Sequence, residues 1–433
     1  MNQISKKSYF RFLSFMLAAS TFLPLVFNSL PPLVRSHHVW TTLWIFSLLI
    51  IYPKIFLNKA IVYLIIYGLF LFIAIETIWK SMDDWNSTTL FTEYYQIAIG
   101  VIVMKYFHQC KDYVGLAKLV RWSIVFLCIT AIMTIISAAI DPMYARNIIG
   151  VSAVTEESKK AVILSFQKYG GGSYSTAAAF MCLFPILVYY YKNIELSLIS
   201  KKLIVAFSII VFYALLGMQI FGNIIIAAIF GIISILGMKK IKQSILVICL
   251  FFSIAVIIPR DVYVKSLFAI GDRFKKDSEL NYKFRDLATF IETGANIEDN
   301  STGTADRAER YPELFQTFIK SPFFGCFFHT DSTANGYNGE GAHLYWMNKI
   351  TTTGIIGLIL FLIIPFNFLK SSLSHLSLNY KFFYILASLS ILCYGLMKAI
   401  VGRETWYSFF ILLPGLYYLP LLKRNRNNLR GQQ

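Results

Sequence analysis

The chain has 433 residues, of which 57% are hydrophobic, 16% aromatic and only 15% charged. Soluble chains carry about a quarter charged residues, so this one cannot cover itself with a polar surface and needs lipid as part of its solvent. Disorder, a disulfide scaffold and a soluble enzyme are excluded on that ground, and the net charge of +17 has to be read from where the cations sit.

A membrane-crossing helix needs about 20 mostly apolar residues. Runs that qualify lie at 9–30, 39–57, 61–79, 89–107, 119–140, 175–191, 203–218, 219–238, 244–259, 344–368, 382–400 and 406–422. The pattern predicts an all-α, polytopic membrane protein of about twelve transmembrane helices, with 1–433 forming one integral membrane domain. The first run is too long for a signal-peptide core and no small-residue cleavage site follows, so it is expected to be retained. The stretch 203–238 would overshoot a bilayer as one helix, and Gln219, Gly222 and Asn223 mark where a tight hairpin divides it.

Cations sort by side. Lys6, Lys7 and Arg11, then Lys105, Lys111 and Lys118, then Lys239, Lys240 and Lys242, and finally Lys423, Arg424 and Arg426 fall in alternate segments. The intervening short connections hold only Arg35, Lys80, Lys398 and Arg403. The positive-inside rule then predicts both termini in the cytoplasm. The charge is a topology signal, and nucleic acid is not an expected partner. Two long outer loops follow from this count, 141–174 and 260–342, the second highly charged but nearly balanced. Within it, 262–274 and 305–319 are helix-like. In the latter, Ala308, Tyr311, Leu314, Phe315 and Phe318 recur at amphipathic spacing. Pro312 kinks that piece or marks a later start, and Ser321-Pro322 stops it.

The six cysteines form no CxxC, and five lie in or beside apolar runs, as small hydrophobic filler does. The outer loops carry Arg146, Lys159, Lys160, Lys168, Arg307, Arg310 and His343, a set suited to an anionic ligand. Arginine donates two parallel hydrogen bonds to a phosphate and never deprotonates. Arg307 and Arg310 share a face if the helix reaches back to them, and they read equally as a solvated face paired with Asp306 and Glu309. His343 stands between a polar stretch and an apolar helix, where it is either a proton-exchanging group or a hydrogen-bonded structural residue. His329 and the His37-His38 pair compete with it, and no HExxH spacing suggests a metal. Asp83-Asp84 reads as solvated loop charge, or as a base or metal ligand.

The segment RAERYPELFQTFIKSPFFG from Arg307 resembles the C-terminal signature of the O-antigen polymerase and O-antigen ligase superfamily. That signature comprises an arginine, an aromatic four residues on, an amphipathic helix and a Pro-aromatic-Phe-Gly turn. AHLYWMNKITTTGIIGL, 342–358, resembles the family's Ala-His segment leading into a helix with Gly-Ile-Ile-Gly. KYGGGSYSTAAAF from Lys168 is similar to a segment that usually begins with arginine. Leu344 stands where asparagine is usual, Cys326-Phe327 replaces a second glycine, and Gly222-Asn223 lacks the arginine that often opens that helix.

The resemblance implies a glycosyltransferase acting at the outer face of the bacterial inner membrane. It would polymerise oligosaccharide repeat units carried on undecaprenyl pyrophosphate, with a flippase and a chain-length regulator as partners and no cofactor or metal. Arg307, with Arg310, Arg146 or Lys168, would bind the pyrophosphate, and His343 would act on the acceptor hydroxyl. A ligase transferring glycan to lipid A–core is the alternative within the family. A transporter of lipid-linked sugar is the alternative outside it, set against spans whose strongest internal charge is Lys349.

Overall fold

A computed structural model of the chain describes residues 3–79, 84–140, 170–237, 259–274, 279–293, 304–326, 344–396, 398, 400 and 402–423. Among these residues every regular element is helical. The first half forms α1 (Gln3–Phe22), the short α2 (Pro24–Phe27) and α3 (Pro32–Arg35), α4 (His37–Ile51), α5 (Lys59–Trp79), α6 (Asp84–Gln109) and α7 (Tyr113–Ile140). Next come α8 (Tyr174–Lys192), α9 (Lys201–Gly217), α10 (Phe221–Leu236), α11 (Arg260–Gly271), α12 (Glu279–Thr293) and α13 (Thr304–Lys320). The chain continues with α14 (Tyr345–His375), α15 (Leu378–Tyr394) and α16 (Arg403–Tyr407). A π turn at Ser408–Leu412 joins α16 to α17 (Leu413–Leu416). Most of the expected run 244–259 lies outside the described residues.

Helices α7, α8 and α14 are each long and apolar enough to cross a membrane, and shorter apolar helices include α4 and α15. The chain therefore associates with a membrane. Several expected runs are shorter as helices than as hydropathy, and proline is the reason in two of them. Pro24 ends α1 early, and Pro53 divides 39–57 into α4 and a 3-10 turn at Pro53–Leu57. Gln219 adopts a left-handed conformation (φ 55°) between α9 and α10, so the long stretch does divide there.

Contacts sort the connections into two ends. At one end Arg11 of α1 grips Asp112 with two hydrogen bonds, 2.6 and 2.9 Å, and Asp112 caps α7 by accepting from the Gly115 amide at 3.1 Å. At the same end Lys105 donates to Ser371 (3.1 Å), His108 stacks on His375 at 4.8 Å, Lys192 donates to the carbonyls of Ser234 and Ile235, and Lys423 donates to that of Glu195. At the other end the Gly172 amide donates to Thr134, Ser175 donates to Glu404, Trp346 donates to the Leu392 carbonyl, and Gly217 packs on Ala138. The long helices thus run alternately between a lysine-rich end and an end carrying Arg35 and Arg403.

The core sits around α8, which packs on α9, α10, α15 and α16. Its run Ala177, Ala178, Ala179, Phe180, Met181, Cys182 and Leu183 is wholly buried. A helix apolar on all sides belongs in the middle of a bundle, and the three alanines allow close approach. On the peripheral helices the outward side chains are themselves apolar, among them Leu69 and Phe72 of α5, Ile209 of α9 and Phe366 of α14. Such a belt suits lipid rather than water.

Asp112 is 3% exposed and Arg11 33%, so removing the carboxylate strands a half-buried guanidinium and uncaps α7. Asp112→Ala should cost about 3 kcal/mol, read as a lowered Tm in detergent. Arg11→Gln with Asp112→Asn together should cost less than the two single losses added; strict additivity would mean that the pair does not couple.

Candidate functional site at a broken helix

Helix α14 is broken by Gly354 (φ 65°, ψ −175°). The local sequence prepares the break. Thr351, Thr352 and Thr353 are β-branched, and their hydroxyls bond backbone carbonyls: Leu314, Asn348 and Lys349 at 3.1, 2.8 and 2.8 Å. Such side chains favour helix poorly and compete for its acceptors. Past the break, the amides of Ile355 and Ile356 donate instead to the carbonyls of Pro322 and Phe323, 2.8 and 3.1 Å away.

Those carbonyls belong to the Pro-aromatic-Phe-Gly turn after α13. The turn closes on itself through the Gly325 amide to Ser321 O (3.0 Å) and Ser321 Oγ to Gly325 O (2.9 Å). Gly325 (φ 80°) and Gly354 face each other backbone to backbone. A Cβ on Gly325 would stand 2.3 Å from the Thr352 carbonyl oxygen, and one on Gly354 would stand 2.3 Å from that of Phe323. Only glycine meets both the conformation and the contact. The two motifs that the sequence singled out separately, the turn and the Gly-Ile-Ile-Gly helix, are one interlocked unit.

Below the lock lies a buried ion pair. Lys349 Nζ is 2.5 Å from Glu93 Oε2, with the side chains 3% and 13% exposed. Tyr345 Oη donates to the other carboxylate oxygen, and the Lys349 ammonium lies 4.6 Å over the Phe361 ring. A buried charge persists only when paired and hydrogen-bonded. The break also turns the half-helix of Lys349 back alongside the rest of α14. Residues 355–375 alone span ~32 Å, a full hydrocarbon thickness, and Tyr345, Trp346 and the Lys349 ammonium all lie against Phe361, well inside it. Lys349 is therefore a charge within the span, as the apolar run 344–368 led one to expect, held there by Glu93.

Of the expected site residues, Arg307 lies in α13, which reaches back to Thr304 and so sets it one turn from Arg310; nothing of its side chain is described. Arg310 is half-buried. His343, Arg146, Lys168, Lys159, Lys160, His329 and Asp83 lie outside the described residues. His343 immediately precedes Leu344, the buried N-cap residue of α14, and Asp84 opens α6. The structure thus holds the helix of Arg307 and Arg310 against the helix that follows His343. The amphipathic stripe of α13 does not bury as one face: Leu314 is buried against α14, whereas Tyr311, Phe315 and Ile319 are exposed. Helix α13 is fastened by Leu314, by Tyr311 Oη to the Leu396 carbonyl (3.1 Å) and by the turn. That leaves an apolar flank open.

Glu93 was missed, because an acid inside an apolar run offers no motif; its i, i+4 neighbours name no partner 256 residues away. Helix α12 was also missed, although Leu280, Phe284, Leu287 and Ile291 recur at helical spacing. It packs on α11 through stacked Phe274 and Phe284 and through Asn281 to the Gly271 carbonyl (2.8 Å). Cys326 is fully buried in the turn, where burial pushes its thiol up to about 12, so it is filler and not a nucleophile. Among the described residues no group of three or more His, Cys, Asp or Glu is placed to hold a metal.

No family model matches the chain, and no curated protein matches it.

Gly354→Ala and Gly325→Ala should each cost about 2 kcal/mol or more, lowering Tm in detergent and exposing the 321–325 turn to protease. Gly231, in mid-helix with nothing within 4 Å of a built Cβ, is the control: Gly231→Ala should be neutral or gain about 0.5–1 kcal/mol. Equal losses at all three positions would contradict the lock. For the ion pair, Lys349→Met alone should cost about 3–5 kcal/mol by leaving Glu93 unpaired, and adding Glu93→Gln should recover part of that loss in the same melt.

Proposed function

We propose that this protein is a bacterial inner-membrane glycosyltransferase that polymerises oligosaccharide repeat units carried on undecaprenyl pyrophosphate. It crosses the membrane about twelve times with both termini in the cytoplasm, and the loops 141–174 and 260–342 are outside. The lysine-rich end of the bundle is then cytoplasmic, as the positive-inside rule requires.

The observation that carries the reading is the interlock of the 321–325 turn with Gly354. The interlock joins the two segments that resemble the O-antigen polymerase and ligase superfamily, at the end of the bundle where an outer-leaflet donor would arrive. The chemistry suits that location. A pyrophosphate is a good leaving group, so the protein has mainly to neutralise charge and position an acceptor hydroxyl. Arg307, aided by Arg310, Arg146 or Lys168, holds the pyrophosphate, and His343 orients or deprotonates the hydroxyl. An apolar groove of about 310 Å³ between α5 and α6, lined by Ile65, Leu69, Phe72 and Phe91, suits an isoprenoid tail.

Broken helices and buried charges also occur in transporters, and the Glu93–Lys349 pair favours that second reading.

Arg307→Ala should abolish glycan polymerisation while leaving the protein in the membrane, and Arg307→Lys should also be impaired because lysine offers only a point charge. His343→Ala should lower turnover by about 100-fold or more with donor binding retained. Gel ladders of the glycan and single-turnover assays read these outcomes; near-normal glycan in both Arg307 variants sinks the reading. Glycan found on lipid A–core instead of on the lipid carrier would make the enzyme a ligase. Normal polymer length with donor trapped in the inner leaflet would make it a transporter. For topology, an impermeant thiol reagent should label a cysteine placed at Ser301 and not one at Lys242.

A further inference from the structure

At the Arg35 and Arg403 end of the bundle, apart from the broken helix, is a polar cavity of about 430 Å³ between the α3–α4 corner, α6 and the start of α16. Arg35, His37, His38, Gln96 and Arg403 wall it, with Asn28 and Ser36 at its edge, and among the described residues no carboxylate lines it. We propose that this cavity is a second oxyanion site, taking a phosphate ester between the two guanidinium groups.

The walls formed by Arg403 and His37 are built rather than incidental. Arg403 follows Gly402, whose left-handed backbone (φ 95°) approaches Ser175 so closely that a Cβ would stand 2.5 Å from its hydroxyl oxygen. Ser175 donates to Glu404, and Glu404 in turn accepts from Arg403 Nε at 3.4 Å. One carboxylate thus holds the Arg403 side chain by its Nε edge. His37 is buried and held through Nδ1 by Ser20 Oγ at 2.9 Å. His38 lies against Tyr95, ring centroids 5.5 Å apart.

Asn28 Nδ2, a donor on a residue at the cavity's edge, is buried without a hydrogen-bond partner among the described residues. Unmet buried donors are uncommon, and an oxyanion is one ordinary way of meeting one. Helix α4 also begins here with no side-chain cap. Its first-turn amides and the positive end of its dipole therefore add to the same field.

The donor inventory selects the ligand class. Two guanidinium forks, an amide, a serine hydroxyl and the His38 ring offer more donors than the two oxygens of a carboxylate can take, whereas a phosphate ester presents three or four oxygens and suits arginine forks. The volume leaves room for the ester's substituent. The source is either a soluble phosphate or the headgroup of an anionic phospholipid, since both carry this chemistry.

The test uses the full chain, delipidated in maltoside detergent, with Tm followed against inorganic phosphate at constant ionic strength and, separately, against phosphatidylglycerol in mixed micelles. At least one probe should raise Tm by several degrees: phosphate acting alone identifies a soluble ligand, phosphatidylglycerol acting alone a lipid headgroup. Arg35→Gln, on an exposed side chain that folding does not need, should weaken the apparent affinity at least tenfold, and Arg403→Gln should do the same. No shift with either probe overturns the proposal. An equal shift in wild type and Arg35→Gln also overturns it, even if Arg403→Gln fails to fold.

Discussion

A helix interrupted inside a membrane protein frees amides that lipid cannot satisfy, and each unmet one costs several kcal/mol. At Gly354 this constraint is met by two carbonyls of the turn after α13, reaching the Ile355 and Ile356 amides. The arrangement needs two left-handed glycines in backbone contact and a turn closed by Ser321. It fastens a polar, charged loop helix to a membrane helix without apolar burial of that helix's whole face. The placement of α13, of the half-helix that follows His343 and of the Lys349 charge depends on it.

Charged groups within the bundle are paired for the same reason. The Arg11–Asp112 pair ties α1 to the cap of α7 at one end. At the other, the Ser175–Glu404–Arg403 chain, and deeper in the bundle the Glu93–Lys349 pair, join elements more than two hundred residues apart. Elsewhere between the ends the helices meet mainly through small and apolar residues, with α8 at the centre. An ion pair at a bundle end can combine partial burial with complete pairing, which is the condition under which buried charge is tolerated.

Much of this was legible in the sequence. Apolar runs announced the long helices, and the distribution of lysine anticipated which connections gather at one end. Gln219 marked the α9–α10 division, and a helix was expected at 305–319, with Arg307 and Arg310 on one face only if it reached back to them, as it does from Thr304. The turn 321–325 and the 354–357 glycines were each visible as motifs. Their mutual contact was not, because hydropathy and spacing report along one chain direction and carry no record of which backbone approaches which.

What the sequence by itself determined is the solvent and the periodicity: an apolar excess that demands lipid, and helical runs bounded by cations, prolines and glycines. What only the tertiary structure decided is which buried polar groups meet. Glu93 finds Lys349, Asp112 finds Arg11, and Arg35 and Arg403 converge on one cavity with His37 and His38. The physical reason is that apolar burial is non-directional and so can be read from composition. Ion pairs and hydrogen bonds depend on distances of about 3 Å that exist only after the helices have packed.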